Sequence, residues 1–95
     1  MDTIHITEIS ILPIKPRNGL IAFANCVVNN SIFIGSIAIY TSVSNPGDYR
    51  LVYPSKRLTN GKEINVFHPI HREAGELFSK AIIGKFKELM FTEEE

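Results

Sequence analysis

Histidine, cysteine and carboxylate side chains are the residues of this chain that could support catalysis or bind a metal. His68 and His71 are separated by two residues, but no cysteine or aspartate at a recognisable spacing supplies the further ligands that zinc requires. Cys26 lies inside an apolar run, which favours a buried structural thiol over a nucleophile. Glu73 and Glu76 have helical spacing on a polar face, which argues against an acid/base pair. We therefore predict no enzyme, no cofactor, no metal site and no small-molecule substrate.

Positive charge is concentrated in one stretch of the sequence. The formal net charge is zero, yet residues 50–72 carry five cations and one carboxylate. Lysine offers a mobile point charge and arginine a planar fork that fits phosphate, so this stretch could bind nucleic acid, although it could also serve only solubility. Nearby Tyr49, Tyr53 and Phe67 could stack on unpaired bases if exposed, but core packing is favoured for each. The predicted contact residues are Ser55, Lys56, Arg57, Lys62 and Arg72.

Length and composition predict one small cytoplasmic domain. The chain has 95 residues, of which 44% are hydrophobic, and we assign residues 1–91 to the domain and residues 92–95 to a short acidic tail. No apolar run reaches the roughly 18 residues of a membrane span, and the N-terminus lacks the pattern of a secretory signal. The single cysteine cannot form an internal disulfide, which fits a reducing compartment.

Alternating apolar residues in the first half predict strands. The apolar phase slips by one residue between Ile6 and Ile9, which predicts a β-bulge near Thr7-Glu8. Residues 20–28 and 31–41 form two further strands, joined by a two-residue turn at Asn29-Asn30. Because both strands are apolar on nearly every residue, we expect a helix on one face of the sheet and a partner chain on the other.

The second half predicts a short strand, a hairpin and a helix. A turn at residues 44–48 precedes a strand over residues 49–53, and Asn60-Gly61 favours a type I′ turn in a small basic hairpin. Pro69 stands near the start of an amphipathic helix. The apolar face of this helix comprises Ala74, Leu77, Phe78, Ala81, Ile82, Lys85, Phe86 and Leu89. The fold class is therefore α+β, with an antiparallel β-sheet of four to six strands, a small basic β-hairpin and one C-terminal helix.

Three short motifs in this half resemble those of a known family. The segment 53–57 reads Tyr-Pro-Ser-Lys-Arg, Asn60-Gly61 follows it, and His68-Pro69-Ile70 leads into the helix. This combination resembles the stage V sporulation protein G family (SpoVG, the septation regulators), closely over residues 53–71 and more loosely over most of the chain. The family usually has Asn after His-Pro-Ile, where this chain has His71, a poorer N-cap.

The resemblance implies a homodimeric bacterial regulator that binds DNA and RNA and acts in septation, sporulation and gene expression. It also implies that Lys56 and Arg57 contact the nucleic acid. A second hypothesis remains open, in which the same hairpin docks an acidic protein of the division or sporulation machinery and binds no nucleic acid.

Overall fold

The fold is a four-stranded antiparallel sheet with one helix packed on it and a separate small hairpin. The computed structural model describes residues 4–42, 44 and 47–92. Strands β1 (Ile6–Arg17), β2 (Leu20–Val28), β3 (Ile32–Thr41) and β4 (Tyr49–Val52) pair in chain order. Strands β5 (Ser55–Arg57) and β6 (Glu63–Asn65) form a second, two-stranded sheet, and helix α1 spans Arg72–Thr92. The predicted α+β class, hairpin and C-terminal helix are confirmed.

The predicted bulge in β1 is present where the apolar phase slips. Thr7 pairs with Val27, the next pairing is Ser10 with Asn25, and Glu8 between them has a φ of 52°. The extra residue restores the inward phase, because Ile6 and Ile9 on either side of the bulge both pack against the core.

The connection between β2 and β3 is one residue longer than predicted. Val28 pairs with Ile32, so Asn29, Asn30 and Ser31 form a three-residue loop instead of a two-residue turn. Both asparagines have positive φ, near 52° and 55°, as expected for this residue type. The Asn29 side chain accepts a hydrogen bond from the His5 amide at 2.7 Å, which ties the loop to the chain just before β1.

The hydrophobic core lies between α1 and one face of the large sheet. Alternate residues of β2 are buried there against Phe78, Ile82 and Phe86 of the helix. The predicted apolar face of the helix is correct at these positions and at Ala74. The prediction for Leu77 is wrong, because Leu77 is 41% exposed. Leu77 lies one position before Phe78, at the solvent edge of the apolar stripe. The buried sheet residues are Ala22, Ala24, Cys26, Ile37 and Ile39.

The opposite face of the large sheet carries an apolar row that crosses all four strands. Leu12 pairs with Phe23, Phe23 with Ala38, and Ala38 with Val52, so these side chains share one face. Leu12 is 62% exposed, and Phe33, which pairs with Val27 on the same face, is 69% exposed. Helix α1, the one helix of the described residues, packs on the other side of the sheet.

Parts of the predicted organisation lie at the limits of the described residues. Residues 45 and 46 of the predicted 44–48 turn and residues 93–95 of the acidic tail lie outside them. Helix α1 continues through Thr92, where we had placed the start of the tail. Among the described residues, no helix combines the length and the apolar character that crossing a bilayer demands.

Candidate nucleic-acid interface

Most of the predicted contact residues lie together on one exposed element, the basic hairpin (residues 55–65). Ser55 pairs with Asn65, Lys56 with Ile64, and Arg57 with Glu63, and all six of these residues are exposed. Lys62 lies in the loop of the same hairpin. Four of the five predicted residues, all except Arg72, are thus presented to solvent within one two-stranded unit.

The loop of the basic hairpin differs from the predicted type I′ turn. That turn requires positive φ at both central residues, but only Gly61 has it, at 88°, whereas Asn60 does not. Leu58 pairs with Lys62 through a 2.7 Å backbone hydrogen bond, and the Gly61 amide donates to the Leu58 carbonyl at 2.9 Å. The loop is therefore a three-residue type, in which a tight turn is followed by a left-handed glycine. The Asn60 side chain accepts a further hydrogen bond from the Lys62 amide at 3.0 Å, which fixes the backbone that carries this lysine.

An aromatic cluster anchors the base of the basic hairpin to the helix. The Val66 amide donates to the Pro54 carbonyl at 3.2 Å, which closes the two arms. The Tyr53 ring lies edge-on to Phe67 and to Phe78 of α1, with both centroid separations 6.1 Å. The hairpin therefore emerges from a fixed base, and core packing, the favoured role for Tyr53, is what the structure shows.

The four cations of the candidate site differ in how strongly they are already paired. Arg57 forms an ion pair with Glu63 at 3.6 Å, and Arg72 forms one with Glu76 at 3.7 Å, with all four side chains well exposed. Within the described part of the chain, Lys56 and Lys62 have no ion-pair partner. Exposed ion pairs contribute about 0–1 kcal/mol, so the two arginines could exchange their carboxylates for phosphates at little cost.

The start of α1 is capped by an imidazole. The Ala74 amide donates to His71 Nδ1 at 3.3 Å, which places His71 in the N-cap position where the family resemblance led us to expect asparagine. Arg72 is the first helical residue and turns its charge toward Glu76, one helical turn along. Among the described residues, Arg72 forms no hydrogen bond or ion pair with the basic hairpin, so the two predicted parts of the site are not linked by a polar contact.

The residues considered for catalysis lie in different environments: Cys26 is in the core, whereas His68 and His71 both line one surface groove. Cys26 is fully buried in the core, and desolvation raises the pKa of its thiol, which disfavours the nucleophilic thiolate. His68 hydrogen-bonds through Nδ1 to the Pro69 carbonyl at 2.8 Å. No group of three or more His, Cys, Asp or Glu side chains that could hold a metal is found among the residues described.

Comparison with known proteins gives a family for this chain. The SpoVG family model matches residues 4–88, which include all six strands, the basic hairpin and most of α1. A protein of Treponema denticola named "Putative septation protein SpoVG" is 30% identical over 83 residues, which cover 87% of this chain and 86% of that protein. The family match extends over both sheets and most of α1 and is not confined to the motifs of residues 53–71. The chain therefore belongs to the SpoVG family.

Proposed function

We propose that this protein is a homodimeric regulator without enzymatic activity that binds DNA or RNA through the basic hairpin and Arg72. The observation that carries the proposal is the presentation of Lys56, Arg57 and Lys62 on an exposed, anchored hairpin. Membership of the SpoVG family and the name of the Treponema relative support a role in septation and in the related control of sporulation and gene expression.

The chemistry of the basic hairpin suits a phosphate backbone. Lys56 and Lys62 supply ammonium groups that form no ion pair with a carboxylate of the described residues, and Arg57 supplies a guanidinium fork that pairs with the exposed Glu63. Contacts of this kind release condensed counterions from the nucleic acid, so they bind strongly at low salt and carry little sequence information. A protein of zero net charge can bind in this way because the field near the surface depends on the local charges.

The open sheet face supports the homodimer. The row that contains Leu12 and Phe23 is apolar across four strands, and Leu12 and Phe33 are exposed there. A face of four strands measures roughly 20 by 30 Å, on the scale of the about 800 Å² that each partner buries in a standard interface. A two-fold dimer through this face would bring two basic hairpins to one nucleic acid.

Binding is tested by titrating fluorescent duplex DNA and RNA at several salt concentrations. If each subunit makes two or three phosphate contacts, the slope of log K against log salt is roughly −4 to −5 for duplex DNA. The double variant Lys56→Ala, Arg57→Ala should lose most of the affinity and flatten the slope. The matched control is Lys15→Ala, Arg17→Ala, which removes the same charge from exposed positions on β1. Equal losses in the two double variants, or no binding at low salt, would refute the site.

The dimer is tested separately by sedimentation equilibrium. Leu12→Arg places a charge on the exposed apolar row and should give a monomer, whereas Leu77→Arg, at an exposed position of the helix, should leave the dimer intact. A wild-type protein that sediments as a monomer would refute this part of the proposal.

A protein partner is the alternative, and one feature favours it. Ile64, on the second strand of the basic hairpin, is 47% exposed, and Val66, just after that strand, is 58% exposed. A surface of mixed basic and apolar character also suits an acidic protein. Capture of a division or sporulation protein that requires Lys56 and Arg57, with no shift of DNA or RNA at low salt, would establish this alternative in place of the first.

A further inference from the structure

An apolar groove lies beside the candidate nucleic-acid interface, between the base of the basic hairpin and the start of α1. Its volume is about 410 Å³, which falls in the size range of small-ligand sites. It is bounded on one side by the loop end of β2 and β3 and on the other by the segment of residues 67–71. The lining residues are Ile4, Val28, Ile32, Ile34, Tyr53, Phe67, His68, Pro69, Ile70, His71, Ala74 and Phe78.

The rim of this groove is unusually exposed for apolar residues. Ile70 is 85% exposed and Ile32 is 58% exposed, and both line the groove although they are far apart in the sequence. Ile70 belongs to the short connection before α1, so its exposure is not imposed by the packing of a helix face. Contiguous exposed apolar surface of this kind typically marks a contact site.

The chemistry around the groove restricts what can occupy it. Arg72 follows the lining residue His71 directly, and Lys56 lies three residues after the lining residue Tyr53. An occupant that fits both features carries an apolar part attached to negative charge. A single-stranded nucleic acid has this character because its unpaired bases offer flat apolar faces at regular intervals along a chain of phosphates. In a duplex, the same faces of the bases are stacked inside the double helix and are not exposed.

Two imidazoles at the groove add hydrogen-bonding groups that a base edge can use. His71 Nδ1 accepts the Ala74 amide, so in the neutral ring the proton is on Nε2, which is a donor. His68 Nδ1 lies 2.8 Å from the Pro69 carbonyl and must donate to it, so Nε2 of its neutral ring is an acceptor. The lining of the groove is therefore mostly apolar and includes one imidazole whose Nε2 is a donor and one whose Nε2 is an acceptor.

We propose that this groove receives an unpaired nucleobase, so that the protein prefers single-stranded nucleic acid to duplex. This inference rests on the proposed function, because the phosphates on either side of the base would contact the basic hairpin and Arg72. The groove supplies the part of the affinity that depends on bases, and the cations supply the part that depends on phosphates.

The test separates these two parts with three fluorescent probes of equal length. The first is a single strand of thymidines, the second a single strand whose sugars carry no bases, and the third a duplex. The wild-type protein should bind the thymidine strand roughly 5- to 100-fold more tightly than the abasic strand, the range expected for stacking of one base. Ile70→Ala should reduce that ratio at least several-fold and leave binding of the abasic strand unchanged. Leu77→Ala, an exposed leucine outside the groove, should change neither.

Each other outcome overturns the inference in a recognisable way. Equal binding of the thymidine and abasic strands, lost together in the Lys56→Ala, Arg57→Ala variant, would leave the proposed function intact and exclude the groove. Failure to bind all three probes at low salt would remove both. Dissociation of a dimer by Ile70→Ala, seen by sedimentation, would show that a second copy of the chain occupies the groove and not a base.

Discussion

The hydroxyl of Tyr53 is a buried polar group whose removal should stabilise the protein. This oxygen is inaccessible to solvent and makes no hydrogen bond to any of the described residues. The ring itself is well placed, with edge-on contacts to Phe67 and Phe78. Tyr53→Phe removes the oxygen and preserves both ring contacts, so it isolates the energetic cost of the unsatisfied hydroxyl.

The size of the effect follows from that cost. A buried polar group without a partner costs about 1–3 kcal/mol, and we expect Tyr53→Phe to recover about 1 kcal/mol of it. In a domain of this size, 1 kcal/mol corresponds to a rise in Tm of about 4–8 °C. Thermal unfolding followed by circular dichroism measures the shift. Tyr49→Phe is the matched control, because the Tyr49 ring also packs edge-on against a phenylalanine of α1 while no unsatisfied hydroxyl is found there, and its Tm should move little.

The pKa of the same hydroxyl predicts how the free energy of unfolding changes at alkaline pH. Burial, with a smaller contribution from Cys26, raises the pKa of Tyr53 to about 12, whereas an unfolded tyrosine titrates near about 10. Because the folded pKa is the higher one, the stability linked to Tyr53 is fully present below pH 10 and is lost as the pH rises toward 12. Tyr53→Phe should lack this loss. A variant that is less stable than the wild type, or an ultraviolet titration in which Tyr53 of the folded protein ionises near 10, would refute the reasoning.

Three further predictions concern the helix start and the basic hairpin. His71→Ala removes the acceptor of the Ala74 amide and should cost about 1 kcal/mol in thermal unfolding, which His71→Asn should restore. Glu63→Gln removes the carboxylate that pairs with Arg57, so it should raise oligonucleotide affinity at low salt and steepen the salt dependence by roughly one unit if Arg57 then meets a phosphate. In Gly61→Ala, the added Cβ meets no other atom, but the alanine must adopt a φ of 88°, which introduces about 1 kcal/mol of local strain. This strain should appear as faster amide exchange within the hairpin and not as a lower global Tm.

The elements of this fold could be predicted because each has a local cause in the sequence. The slipped phase before Ile9 gave the bulge in β1, and the spacing of Phe78, Ile82 and Phe86 gave the buried stripe of α1. The basic hairpin was predicted from the glycine and asparagine of its turn, and four of the five predicted contact residues do lie on it.

The errors and omissions arise where long-range packing decides the geometry. The Asn60-Gly61 pair fits two loop lengths, and the pairing of Leu58 with Lys62 selects the three-residue loop. A second bulge, at Ser36 in β3, was missed because its cause is a tertiary one. The Asn25 side chain on β2 accepts the Ser36 amide at 3.2 Å, and Ser36 takes a φ of 63°. The groove was missed for the same reason, since Ile4 and Ile32 meet residues 67–71 only in the folded chain.

The placement of charge in this fold shows how a chain of zero net charge could bind the proposed nucleic acid. One apolar face of the large sheet is buried against α1. The cations of residues 55–62 lie on a separate hairpin that contributes no residue to the main core cluster. These cations therefore remain solvated without disturbing the packing of the core. Within the hairpin, Glu63 is the one carboxylate that offsets their positive charge. A dimer through the open sheet face would present two such hairpins, and the carboxylates of α1 would lie on the opposite side of each sheet from the dimer interface. Affinity for phosphate would then depend on the geometry of the dimer and not on the net charge, which separates this arrangement from that of a generally basic nucleic-acid-binding protein.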